Sequence, residues 1–387
     1  MSLVSALVLG AAIVRRIPFP LYRFEAVAMT VVLGLFSWTW ISFLLALVLP
    51  YDVGVPLTLV IGAVAALMLW PGGGGVEARE LEGGRRSWIV WAVATAATIP
   101  LLGRLFYTHS LTSDSQGIWS AGASWADYGV HSAIISHIAA ASSLPSDLPV
   151  ASGEKITYPF LIDFLSAMYV QGGASLHQSL FWPGVLLALA ICQLMISFGL
   201  RLFGRISVGV GALGFALTIG SAAGLWAAWG DWRDSGKGFF SFLGELPGDY
   251  SQVPDSNANV TNFLVDALLP QRSILFGFGV GLIILTLLHV SRDRDEKKLL
   301  WPAAVLVGLM PMAHPHTFMV TFGVFAFLAV EAAWQTRKPP LDYLKPLGLA
   351  FVLAIPQLAW QQLANDHGTG GRFRFGWMVQ EGHSVFG

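Results

Sequence analysis

The sequence predicts an all-α fold: a polytopic transmembrane helix bundle of about ten crossings, carrying two long outer-face loops that contain short helices. Three observations predict it. Apolar residues make up 55% of the 387 positions and charged residues only 12%, with a mean hydropathy of +0.64. That is about half the charged share of a soluble domain, and such a chain cannot hide its apolar surface in one globule. The apolar residues fall in runs near the roughly 20 that a crossing needs. Lys and Arg gather in the short connections between those runs.

Leu3 to Val14 opens the chain as an apolar run with no positive residue before it, and Arg15 and Arg16 come directly after it. That order argues against a cleaved signal peptide and for a first membrane segment or an interfacial helix. Ala26 to Leu49 is a full crossing, while Leu57 to Trp70 needs help from its flanks. Gly72 to Gly75 reads as a flexible turn, and Trp88 to Phe106 crosses despite Pro100. Tyr158 to Val170 is too short to cross and carries Asp163, which is costly against lipid and so must look into the protein or a wet cavity. Leu180 to Leu202, Val208 to Trp229 and Ile274 to Val290 each cross. Trp301 to Ala313 crosses only with help, and Thr317 to Trp334 and Leu347 to Leu363 complete the set.

Orientation follows from the basic residues of the short loops. Arg15, Arg16 and Arg23 mark one inside loop, Arg79, Arg85 and Arg86 a second, and Arg201 and Arg205 a third. Arg292, Arg294, Lys297 and Lys298 mark a fourth, and Arg337, Lys338 and Lys345 a fifth. All fall on one side only if Tyr158 to Val170 does not cross. The two long polar segments, 107–157 and 230–273, then share the outer face, with the His-Pro-His turn and the C-terminal tail. Loops this long in a compact protein are usually functional or disordered, and their aromatic, helix-like stretches are unlike linkers. The expectation is a single integral membrane domain over 1–387, whole or a fragment of a longer chain, in the plasma membrane of a prokaryote with its site outside.

Several chemistries are excluded early. A net charge of −1 leaves no basic surplus for nucleic acid. Cys192 stands alone, so neither an internal disulfide nor a paired-cysteine metal motif is available. Walker A, GxSxG and HExxH sequences are absent, so there is no nucleotide motif, hydrolase elbow or zincin.

Candidate site residues lie in the outer segments. Asp114 sits in Ser113-Asp114-Ser115, either as a site carboxylate or as the N-cap of the next segment. Asp127 and His131 lie four apart on a helix expected to run to about Ala141, hence on one face. A carboxylate beside an imidazole can act as a base, orient the ring or share a metal with it, and a local hydrogen bond is the plain alternative. Asn259-Val260-Thr261 fits a glycosylation acceptor, a pattern common by chance. Lys155 and Tyr158-Pro159 mark the entry to the next apolar run, where Lys155 either pairs with a lipid phosphate or snorkels to the interface. Gln271-Arg272 stands just before a membrane helix, and the Arg272 fork suits a phosphate or carboxylate clamp unless it is only an interfacial anchor. His314 and His316 flank Pro315 at an outer hairpin, where they either bind metal or phosphate or form a hydrogen-bonded turn.

The layout from Trp88 to Leu202 resembles the GT-C superfamily of membrane glycosyltransferases, which includes the protein O-mannosyltransferases. The resemblance rests on the long first outer loop holding Asp114 and Asp127 and on the entry Tyr158-Pro159-Phe160. It departs from the family in the apolar runs that precede Trp88 and in lacking an Asp-Glu or Asp-x-Asp pair. The resemblance implies transfer of a sugar from a polyprenyl-phosphate donor to an acceptor hydroxyl on the outer face, with a divalent metal possible. Asp127 or Asp114 would then be the base, Lys155 and Arg272 the phosphate partners, and the Trp-rich loop the sugar platform. The lipid-linked donor and membrane lipid are the implied partners. A transporter or flippase for a lipid or small solute, with Asp163 and the histidines along its path, and a non-catalytic assembly subunit are the competing readings.

Overall fold

The computed structural model describes residues 2–71, 78–120, 125–141, 144, 147–151, 153–218, 222–248, 250, 252–253, 258–259 and 262–363. The glycine turn from Gly72, Val260-Thr261 of the glycosylation pattern and the C-terminal tail from 364 lie outside them. The described residues form α1 (Ser2–Val14), α2 (Arg23–Ala46), α3 (Tyr51–Leu69), α4 (Gly84–His109), α5 (Trp125–Ala140), α6 (Leu161–Gln171) and α7 (Leu176–Phe203). They continue with α8 (Ile206–Thr218), α9 (Ala222–Ser235), α10 (Phe239–Gly244), α11 (Arg272–Asp293), α12 (Leu300–Gly308), α13 (Pro315–Thr336) and α14 (Leu341–Leu363). Two hairpins, β1 (Thr112–Ser113) with β2 (Ile118–Trp119) and β3 (Gln252–Val253) with β4 (Ala258–Asn259), are each antiparallel and two-stranded.

Seven of these helices are long and apolar enough to cross a membrane, eight if the bent pair α8–α9 is one span. The described helices therefore fall short of ten. The two shortest expected crossings are α1, of 13 residues, and α12, of only 9. At about 1.5 Å per residue neither spans a hydrocarbon core of about 30 Å by itself. Val208 to Trp229, expected as one crossing, holds parts of α8 and α9, whose axes differ by 65° and which make one span only as a bent pair. The second long segment starts later and ends sooner than 230–273, because α9 runs on to Ser235 and α11 already begins at Arg272. In the first, α4 reaches His109 and α5 matches the expected helix.

Local signals set the helix ends. Ser175 and Gln178 form a capping box at the start of α7, the two reciprocal bonds both measuring 3.1 Å, and Gly204 closes it at φ 69°. The Tyr22 N–H donates to Glu25 Oε2 at 3.1 Å at the head of α2. Gly10 and Gly34 let α1 and α2 meet backbone to backbone, since a Cβ at either would run into the other helix.

The short helix α6 lies inside the bundle, buried from Leu161 to Met168, and packs on α2, α5, α7 and α11. Its 11 residues rise only about 17 Å, so it does not cross. Phe160 and Phe164 pack edge-on against Phe43, and Tyr169 stacks on Trp38.

The basic clusters collect at the opposite end of the long helices. Arg201 pairs with the fully buried Glu25 at 2.5 Å and lies over the Tyr22 ring, as Arg79 does. Arg292 reaches Glu331 at 2.6 Å, and Lys297 lies over Tyr343.

Candidate functional site

Asp163, in the first turn of α6, is fully buried and has two side-chain partners, a guanidinium and an imidazole. Arg272 Nε donates to its Oδ1 at 2.8 Å, and His131 Nδ1 lies 2.7 Å from its Oδ2. The Arg272 Nη2 donates to Ser166 Oγ at 2.6 Å, and that hydroxyl donates to the Ser179 carbonyl at 2.6 Å. One cluster thus ties α5, α6, α7 and the head of α11 together. Arg272 is itself fully buried; the Tyr128 phenol interacts with its guanidinium, and its Nη1 has no hydrogen-bond partner among the described residues. A buried cation with an open nitrogen is costly unless a ligand or further group meets it.

His131 does not pair with Asp127 as the four-residue spacing suggested. The deeper carboxylate of Asp163 takes the imidazole, because a buried charge gains more from a close partner than a half-exposed one does. Asp127 is left half-buried, and Gln271 Nε2 donates to its Oδ1 at 3.4 Å. Next to it the Tyr128 hydroxyl donates to the Leu269 carbonyl at 3.2 Å. These contacts join the two long segments directly. Tyr158 packs edge-on to His131 at 5.7 Å, and burial together with the Asp163 and Asp127 charges pushes its phenol up to about 12. Burial likewise pushes the Tyr128 phenol up to about 12, so both tyrosines stay neutral hydrogen-bonding groups at ordinary pH.

The other candidates lie apart from this cluster in their contacts. Asp114 is exposed and closes the β1–β2 hairpin, accepting from the backbone N–H of Gln116 at 2.7 Å and of Gly117 at 3.0 Å. The Trp119 side chain and those N–H groups hold its carboxyl below the usual carboxylate range. Lys155 pairs with Asp147 at 2.6 Å at the surface, which lowers the Asp147 carboxyl, and no bond links it to Arg272. His314 is the N-cap of α13, its Nδ1 2.8 Å from Thr317 Oγ1, and it fills the space that the missing side chain of Gly277 leaves on α11. His316 is exposed, 5.5 Å from the His314 ring, and both line a cleft of about 250 Å³ between α11 and α13.

Among the described residues no three His, Cys, Asp or Glu converge as metal ligands. Sequence reasoning named Asp163 and Arg272 separately but did not pair them. They stand 109 residues apart, and neither periodicity nor spacing encodes that contact. Ser166 and Tyr128 were missed. The signal for Ser166 was its place three residues after Asp163 on the same face. Comparisons with protein-family models, curated proteins and solved structures find no match to this chain.

Proposed function

We propose that this chain is a membrane glycosyltransferase that moves a sugar from a polyprenyl-phosphate donor to an acceptor hydroxyl on the outer, non-cytoplasmic side. The observation that carries the reading is Asp127. It is a half-buried carboxylate in no ion pair among the described residues, bonded to Gln271 where the first long segment meets the head of α11. The choice between Asp127 and Asp114 falls on Asp127, because the Asp114 carboxylate is taken up by its own hairpin turn. Asp127 takes the proton of the acceptor hydroxyl as that oxygen attacks the anomeric carbon. The bond from that carbon to the phosphate oxygen breaks, and polyprenyl phosphate leaves with the electron pair.

Arg272 supplies the positive charge next along the chain from Gln271. Two of its nitrogens hold Asp163 and Ser166, and Nη1, buried and without a hydrogen-bond partner among the described residues, is the donor that a phosphate oxygen meets once donor binding opens the site. His131 and Asp163 position that guanidinium. The basic clusters at the other end of the helices support a cytoplasmic assignment for that end. Ten crossings remain part of the proposal, with α1 and α12 each completed by its flanks. The transporter reading is favoured less: it needs Asp163 to line a path, and both carboxylate oxygens of Asp163 are already engaged by His131 and Arg272.

The test is turnover of a short-chain prenyl-phosphate sugar by purified protein. Asp127→Asn is expected to cost 10² to 10⁴-fold, roughly the contribution of a general base. Wild-type turnover in Asp127→Asn would remove the assignment.

A further inference from the structure

A second feature lies at the other end of the helices from Asp127. Between α2, α4 and α7 runs an open groove of about 540 Å³. Its walls are apolar, with Val31 from α2, Trp88, Trp91 and Ile99 from α4, and Gln193 from α7. The single polar patch is tied inward: Trp91 Nε1 donates to Gln193 Oε1 at 2.7 Å, and Gln193 Nε2 donates to Thr95 Oγ1 at 3.2 Å. At the mouth stands Arg23, the first residue of α2, exposed and in no ion pair among the described residues. The exposed Arg85 lies one turn before Trp88 on α4.

We infer that this groove holds an acyl chain of an anionic membrane lipid whose headgroup phosphate pairs with Arg23. Length, walls and charge agree on that occupant. From Trp88 to Ile99 the helix rises about 17 Å, close to half of a hydrocarbon core of about 30 Å, so the groove has the depth of one leaflet. The apolar walls exclude a polar solute, and a free anion gains nothing from them. An unpaired Arg at the mouth discriminates a negative headgroup from a zwitterionic one, which carries its own cation. Trp88 beside it has an apolar body and a polar N–H suited to the headgroup boundary. The inference needs only that the helices cross a membrane, and it is independent of the sugar-transfer reading.

Native mass spectrometry of the delipidated full chain in detergent decides it, with phosphatidylglycerol and phosphatidylcholine of the same acyl chains as probes. Wild type is expected to retain one phosphatidylglycerol about five-fold more strongly than phosphatidylcholine, the gain typical of one basic residue at an anionic headgroup. Arg23→Gln, an exposed change with little folding risk, is expected to erase that preference, and Arg23→Lys to keep it. Val31→Trp, and Val27→Trp from the exposed rim, are expected to reduce retention of both lipids by filling the groove. Equal retention of the two lipids by wild type overturns the inference. So does a preference that survives Arg23→Gln, or retention unchanged in both tryptophan variants.

Discussion

Asp163 is held by the Arg272 guanidinium and the His131 imidazole in a place where water cannot compensate its charge. Replacing it by Asn removes the charge that holds Arg272 and leaves a fully buried guanidinium. The expected loss is about 3–5 kcal/mol, the usual cost of breaking a buried pair from one side. It should appear as a large drop in the detergent melting temperature. An Asp163→Asn/Arg272→Met double variant removes both charges and is expected to recover most of that loss; equal melting temperatures for the single and double variants would show that the pair is not the reason. Asp114 behaves oppositely. An Asn there still offers a carbonyl oxygen to the Gln116 and Gly117 N–H groups, so Asp114→Asn is expected to keep both fold and turnover. The acidic residues of the first segment were legible in the sequence as candidates. Their partners were not, since Gln271 stands 144 residues from Asp127.

The helices α11 and α13 meet where the His314 ring occupies the space above Gly277, and Thr317 sits against Gly281. No side chain can be added at Gly277 without moving that imidazole, which also caps α13. Gly277→Val is therefore expected to cost about 1–3 kcal/mol by overpacking, with Gly277→Ala milder, both read from thermal unfolding in detergent. Unchanged stability in both would mean that α13 is free to shift. The long helices were legible as elements because twenty apolar residues have few other fates. What escaped the sequence were breaks inside apolar stretches. The 65° between the axes of α8 and α9 is one case, since hydropathy reads Val208 to Trp229 as continuous. Likewise α12 stops at Gly308, and the chain turns through Met310 to Ala313 while still buried. Gln357 of α14 makes that turn tolerable, accepting from the Met312 N–H at 3.0 Å and donating to the Gly308 carbonyl at 2.6 Å.

Across the whole molecule charge is divided between two ends. Arg79 and Arg201 share the Tyr22 ring at one end, whereas Asp127, Gln271 and the Asp163 cluster occupy the other. The Trp360 indole of α14 donates to the Ile156 carbonyl at 2.9 Å, and the His177 imidazole bonds the Leu111 carbonyl, so the first long segment is fastened to the bundle near both of its ends. In a Cys192→Ser background, cysteines at Ser115 and Ser241 are expected to react from outside with a membrane-impermeant maleimide. One at Lys298 should react only after permeabilisation; labelling of Ser115 and Ser241 from opposite sides would break the topology. The expected sidedness rests on basic residues alone, because their bias is a property of short loops rather than of packing. The proposed role of Asp127 as the base of a sugar transfer is tested most directly by measuring single-turnover transfer from a prenyl-phosphate sugar in wild type, Asp127→Asn and Asp114→Asn, with each variant's melting temperature taken alongside. The Asp127→Asn protein is expected to fold and to lose transfer by roughly 10² to 10⁴-fold, the contribution of a general base, beside an Asp114→Asn protein that turns over like wild type. Loss in Asp114→Asn with full transfer in Asp127→Asn would contradict that role.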